Sequence, residues 1–174
     1  ATLRLEQIAV VPMNSIGTAL SSYTAQNIGA QKLDRVRKGY RAALLLVCAF
    51  AVIDAAWMEI FHAPLVRLFM SDNNPSAVAF ATGDAYIRYI GWFFGIIGIK
   101  MATDGLLRGA GDTLMFTLAN LVNLGIRVSL SVIFAPRYGI HIIWMVVPLG
   151  WLANFAVSFS AYASGKWERN YRGA

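Results

Sequence analysis

Five long apolar runs, separated by short polar segments, organise the 174 residues. A membrane span needs about 20 mostly apolar residues. By that measure the runs predict spans over residues 6–28, 41–62, 79–103, 114–134 and 140–162. The first run is unusually polar, with Asn14, Ser15, Thr18, Ser21, Ser22, Thr24 and Gln26 beside Pro12 and Gly17. Small and hydroxyl residues in that number suit close helix packing or the wall of a wet cavity rather than a face turned wholly to lipid. Residues 63–76 start near Pro64 and end in turn formers, which predicts a short interfacial helix followed by a loop. The third run is aromatic (Tyr86, Tyr89, Trp92, Phe93, Phe94), and Pro136-Arg-Tyr-Gly139 is a tight turn before the fifth. The fold class is therefore all-α integral membrane, a bundle of five transmembrane helices in one unit over 1–174.

The polar segments carry the orientation. Thr24 to Arg41 holds Lys32, Arg35, Arg37, Lys38 and Arg41 against the single acid Asp34, bracketed by Gly29 and Gly39. A short basic loop between spans stays on the cytoplasmic side. With that loop inside, Arg108 and the tail residues Lys166, Arg169 and Arg172 are inside as well, nine basic residues against Arg4, Arg67 and Arg137 outside. The N-terminus of the chain is then outside and the C-terminus cytoplasmic. The chain has no initiator Met and no signal peptide, so a preceding span is expected.

Composition narrows the class. The chain is 57% hydrophobic and 14% charged, with a mean hydropathy of +0.55. A soluble domain carries about 25% charge, so too few polar residues are present to coat a globule. The net charge of +6 is spread over loops between apolar runs, which points to topology and lipid headgroups rather than to nucleic acid. Cys48 is alone and lies in an apolar run, so neither a disulfide framework nor a cysteine metal site is expected. Ser/His/Asp patterns, a His-rich box and a phosphate-cradling loop are missing, and no enzyme activity or cofactor is expected.

A second stretch, Gly105-Leu-Leu-Arg-Gly-Ala-Gly-Asp-Thr113, reads as a tight cytoplasmic turn in which Gly109 and Gly111 permit close backbone approach and Arg108 can pair with Asp112. The two stretches together, Gln26-Asn27-x-Gly29-Ala-x-Lys-x-x-Arg35 with Gly39, then Gly105-x-Leu-Arg108-Gly109-x-Gly111-Asp112-Thr113, resemble the multidrug and toxic compound extrusion (MATE) family. Pro148-Leu-Gly-Trp151 is similar to bacterial members too. The resemblance covers nearly the whole chain and aligns it with five of the six helices of one lobe, the C-terminal one being favoured. It implies half of a twelve-helix secondary transporter that exports small organic cations or drugs from the cell membrane in exchange for protons or sodium ions. A partner is implied: the missing N-terminal lobe or a second copy. The sequence departs from the sodium-coupled pattern at Gly95 to Ile99, where Ile97 stands nearest to the position of that subfamily's acid.

Several residues are candidates for the substrate or ion path. Arg127 lies mid-span with Asn123 one turn and Asn120 two turns away. A charge at the bilayer centre costs about 2.5–3.5 kcal/mol, so Arg127 lines a cavity or clamps another helix. Asp54, near the middle of the second span, is the expected cross-helix partner of Arg127; unpaired and wet, it would be the chain's best-placed proton carrier. Lys100, Asp104 and Arg108 form an i, i+4, i+8 ladder, either leading into the membrane or marking a solvated helix end. Asp84 and Arg88 repeat that spacing as an expected surface pair. Gln26 and Asn27 are packing or path residues, and Tyr89 and Trp92 are cation-stacking, lipid-belt or core aromatics. His62 and His141 carry no assignment. The function expected is multidrug efflux; the alternatives are a lipid-linked precursor flippase of the same superfamily, which would want a cationic cavity, and a non-transporting scaffold or fragment.

Overall fold

A computed structural model describes residues 2–69 and 77–168. The predicted loop over 71–76 and the tail residues Arg169 and Arg172 lie outside the described residues. Six helices follow in order: α1 (Thr2–Gly29), α2 (Leu33–Phe69), α3 (Ala77–Gly91), α4 (Phe94–Gly109), α5 (Thr113–Tyr138) and α6 (Ile140–Ala163). Among the described residues no strand occurs. The fold is all-α and of membrane type. The helices α2, α5 and α6 are each long and apolar enough to cross a bilayer, and α3 with α4 forms a bent pair that qualifies together. Helix α1 is long enough but more polar. Two of its hydroxyls return to its own carbonyls, Ser15 to Val11 O and Thr18 to Asn14 O, both at 3.0 Å. This satisfies polar groups that lipid cannot. The buried Thr24 hydroxyl, by contrast, has no hydrogen-bond partner among the described residues.

The third predicted span is broken. Helices α3 and α4 meet at 52° across Gly91 to Phe93. Gly91 is the last helical residue of α3, and the Phe93 N–H donates to Ile90 O at 2.9 Å in a tightened turn. Helix α2 departs in the other direction. It runs on through the predicted interfacial segment and is bent there: Phe61 is non-helical (φ −110°, ψ 16°). Pro64 explains the bend, because it offers no N–H to Ile60 O and its ring presses on that carbonyl.

The basic stretch is mostly helix rather than loop. Only Ala30 to Lys32 turn, and the remaining cations occupy the first turns of α2. Gly29 is the last residue of α1, but the left-handed residue that closes the turn is Gln31, at φ 58°, with Gln31 N–H to Ile28 O and Lys32 N–H to Asn27 O at 2.8 Å each. This is a Schellman closure. The α4–α5 turn repeats it with Gly111 at φ 74°, Gly111 N–H to Arg108 O at 3.0 Å and Asp112 N–H to Leu107 O at 2.9 Å. Gly105 and Gly109 are thus helical, and the turn is confined to Ala110 to Asp112. Asp112 does not pair with Arg108; its carboxylate accepts from the Met115 N–H at 3.2 Å and caps α5. Asp112→Ala is expected to lower stability by about 1 kcal/mol, read as a lower melting temperature in detergent, and an unchanged melting curve would contradict the cap.

Helix α4 is the centre of the bundle, packed on α1, α2, α6 and α5. One apolar cluster joins Met13, Met58, Ile87, Phe94 and Trp151 at one end of the bundle. The other joins Ile28, Val36, Leu106, Ala110 and Trp167. Arg37 donates two hydrogen bonds to Glu168, at 3.0 and 2.7 Å. The α1–α2 turn, the α4–α5 turn and the end of α6 therefore share one end of the molecule, as the charge pattern requires. Helix α5 packs mainly on α6 and leaves Leu114, Leu121, Leu124, Val128 and Val132 exposed.

Candidate functional site

The polar residues that matter converge where α4, α5 and α6 meet. Lys100 and Asp104 stand one turn apart on α4, and their ion pair closes at 2.9 Å with side chains only 12% and 5% exposed. Lys100 Nζ also lies 3.4 Å from Asn120 Oδ1 on α5. Asn120 is oriented by donating to Phe116 O at 2.8 Å. From α6, Asn154 Nδ2 donates to the same Asn120 oxygen at 3.1 Å. Ser158 Oγ donates to Asp104 Oδ1 at 2.6 Å, and its second contact, to Asn154 Oδ1 at 3.4 Å, is much the longer. Asn154 and Ser158 are fully buried. Each member thus has a partner, as a buried ionic pair requires. Beside the cluster, Thr103 donates to Ile99 O at 2.9 Å, which leaves Tyr40 as donor in the buried 2.8 Å contact between their hydroxyls.

The placement corrects several expectations. The ladder Lys100, Asp104, Arg108 is not a solvated helix end: Asp104 is buried and the Lys100 side chain is mostly so. Arg108 is not its third rung. Its guanidinium lies over the Phe116 ring at 5.2 Å, and its Nε is buried without a hydrogen-bond partner among the described residues. Asp54 and Arg127 do not pair. Helix α2 packs on α1, α3 and α4, whereas α5 packs on α6 and α4, so the central helix stands between them. Asp54 Oδ2 is buried with no hydrogen-bond partner among the described residues. Arg127 is exposed on α5. Its stem, with Asn123, crosses α6 at Gly150, where a Cβ would stand 2.3 Å from Asn123 Oδ1 and 2.8 Å from Arg127 Cγ. That Asn123 oxygen has no hydrogen-bond partner among the described residues either. Asp84 and Arg88 also reach across to α2 rather than to each other: His62 Nδ1 meets Asp84 at 2.5 Å, and Arg88 meets Glu59 at 2.6 Å.

The remaining candidates stand apart from the cluster. Gln26 is exposed on α1. Asn27 is buried and donates to Tyr23 O at 2.8 Å. Tyr89 stacks obliquely on Phe93 at 5.0 Å, and Trp92 sits 75% exposed at the helix break. Arg35 is exposed at the start of α2, and Gly39 lies against the Tyr23 ring. Asn154 and Ser158 were not among the sequence candidates. Their signal was available as two polar residues one turn apart in the mostly apolar α6, four and eight residues beyond Gly150.

Residues 1–133 match the family model described as MatE. The chain belongs to the MatE family. Among curated relatives it is 30% identical over 169 residues to the probable multidrug resistance protein YpnP of Bacillus subtilis, covering 97% of this chain and 37% of the relative. It is 22% identical to the probable multidrug resistance protein NorM of Thermotoga maritima, over 96% of the chain and 36% of that protein. To the probable multidrug resistance protein YoeA of Bacillus subtilis it is 23% identical, over 85% and 31%. The chain thus spans about a third of the length of the curated relatives it matches. No solved structure matches it. As a MatE chain with long apolar helices it is a multi-pass membrane protein.

Proposed function

We propose that this MatE chain forms part of a secondary active transporter that expels small organic cations or drugs in exchange for protons or sodium ions. The names of its relatives support multidrug efflux. The observation that carries the mechanism is the Lys100–Asp104 pair, buried in a helix that traverses the bundle. Ionic groups held at membrane depth are expensive, and they mark ion and substrate routes. Asp104 is the exchangeable charge in this reading. A proton on its carboxylate, or a sodium ion among the Asp104, Asn120 and Asn154 oxygens, replaces the Lys100 ammonium, and the freed ammonium perturbs the α4–α5 contact. Alternating access needs a second body to rock against, supplied by the missing N-terminal lobe or by a second copy. The α1–α2 turn faces the cytoplasm, with the chain's N-terminus outside.

Arg127 favours a second reading. An exposed mid-helix guanidinium without an ion pair among the described residues repels a plain cation, and it suits a cargo with an anionic headgroup such as a lipid-linked precursor. An efflux-deficient bacterium tests both readings. The chain alone is expected to give no more drug resistance than an empty vector. Co-expression with the complementary lobe of the YpnP relative is expected to raise it, and Asp104→Asn to abolish the gain. No gain with the complementary lobe would overturn the efflux reading. A cell that instead accumulates lipid-linked precursor on the outer leaflet would favour the second.

A further inference from the structure

The basic end of the molecule carries a built groove that the transport reading does not use. It lies between α1 and α2, open to the surface, with a volume of about 530 Å³. Its walls are apolar, with Ile16 and Leu20 from α1 and Ala42 and Leu46 from α2. Tyr23 and Lys38 close the end nearest the α1–α2 turn, and the Tyr23 ring rests on Gly39, where a Cβ would stand 2.4 Å from Cε1. From Lys38 to Leu46 the helix advances about 12 Å, so the groove leads from the charged end of the bundle toward mid-membrane.

Charge decides the occupant. Arg37 is held by Glu168. Lys38 and Arg41, one turn apart on α2, make no ion pair among the described residues, and both are exposed. Two other open grooves lack this combination. One, bordered by Cys48, Glu59 and Trp92, presents an acid already bound by Arg88. The other, between α5 and α6 at Gly125 and Leu149, has no charged lining residue. We propose that the α1–α2 groove holds one anionic glycerophospholipid of the surrounding bilayer. Its acyl chain lies along Ile16 to Leu46, and its phosphate sits on Lys38 with Arg41 beside it. Apolar walls at membrane depth take a hydrocarbon chain, and a Lys stem reaches along such a wall to keep its ammonium at headgroup level. A zwitterionic headgroup brings its own cation against these two; an anionic one does not. The proposal is independent of the transported cargo.

The test uses the purified protein in mild detergent, incubated with equimolar dioleoyl phosphatidylglycerol and dioleoyl phosphatidylcholine, with bound lipid counted by native mass spectrometry. The phosphatidylglycerol adduct is expected to predominate. Lys38→Gln is expected to lower its ratio to phosphatidylcholine about fivefold, the equivalent of ~1 kcal/mol for one cation near an anionic headgroup. Ala42→Trp fills the groove without changing charge and is expected to remove both adducts. Lys32→Gln, on the neighbouring turn, is expected to leave the ratio unchanged. Circular dichroism checks that each variant is folded, and Arg41→Gln replaces Lys38→Gln if the latter is not. Three results would each overturn the proposal: an unchanged ratio in Lys38→Gln, an equal loss in Lys32→Gln, or a phosphatidylglycerol adduct that survives Ala42→Trp.

Discussion

Gly105→Ala is expected to melt the bundle well below the parent temperature, although alanine is the better helix former by about 1 kcal/mol. The reason is the seam between α1 and α4. A Cβ at Gly105 would stand 2.2 Å from Gly17 O, one at Gly109 would stand 2.3 Å from Ser21 O, and one at Gly17 would stand 2.7 Å from Met101 O. The atoms in the way are backbone, which cannot swing aside as a side-chain tip can. Helix α1 must shift as a unit, and the fully buried Met13 and Leu106 lose their packing with it. Inserting atoms into a packed core costs about 1–3 kcal/mol, and here the helix-propensity gain must be overcome first. Small residues are what let two membrane helices approach this closely, because apolar surface alone does not drive association in lipid. Gly125→Ala is the internal control. That glycine lies in α5, and a Cβ added to it would meet nothing within 4 Å, so alanine there is expected to be neutral or to stabilise by about 1 kcal/mol or less. Thermal unfolding in detergent, followed by circular dichroism, measures both. Equal behaviour of the two variants would show that α1 and α4 approach each other less closely than this seam requires.

The second large effect is at the buried ion pair. Asp104→Ala is expected to destabilise the protein by about 3–5 kcal/mol, while the double variant Lys100→Met with Asp104→Leu is expected to fall close to the parent. As an exposed i, i+4 pair, Lys100–Asp104 would be worth only about 0.2–0.5 kcal/mol. Burial changes the magnitude. Asp104 removed alone leaves the Lys100 ammonium with only the 3.4 Å contact to Asn120, and leaves Ser158 without its 2.6 Å acceptor. The double variant removes both charges, so neither is stranded. Unfolding by titrated sodium dodecyl sulfate gives the energies. A single-variant loss below about 1 kcal/mol would place water at Lys100 and remove the physical basis for Asp104 as the exchangeable charge. The same double variant separates stability from function, because a folded protein without Asp104 is expected to have lost ion-coupled resistance.

Much of this architecture is legible in one dimension. Apolar runs of bilayer length mark the long helices because lipid demands internally satisfied backbones, and the clustered cations mark the end at which three segments meet. The glycines of the Gly105 to Gly111 stretch announce close approach, although two of them serve a helix seam and only Gly111 serves a turn. The i, i+4 spacing of Lys100 and Asp104 was enough to pair them, since both ends of that interaction belong to one helix. Where partners belong to different helices, the spacing was silent or misleading. Asp84 and Arg88 have the same spacing as Lys100 and Asp104, yet they turn to His62 and Glu59, because α3 lies against α2 and offers partners across the contact. Asp54 and Arg127 look complementary as isolated charges, yet α4 stands between their helices. Asn154 and Ser158 acquire meaning only once α6 is rotated to put them beside Asn120 and Asp104. The bend at Gly91 to Phe93 follows the same division: its residues permit a break, and the packing of α3 on α2 and of α4 on α1 makes it one. Hydropathy acts between neighbours along the chain, so sequence alone determined the long apolar helices and their membrane character, but not the break in the third span or the full extent of α2. Which helices touch, and at what rotation, is a sum over distant contacts, and that sum alone brought the charges of α4 together with the amides of α5 and α6.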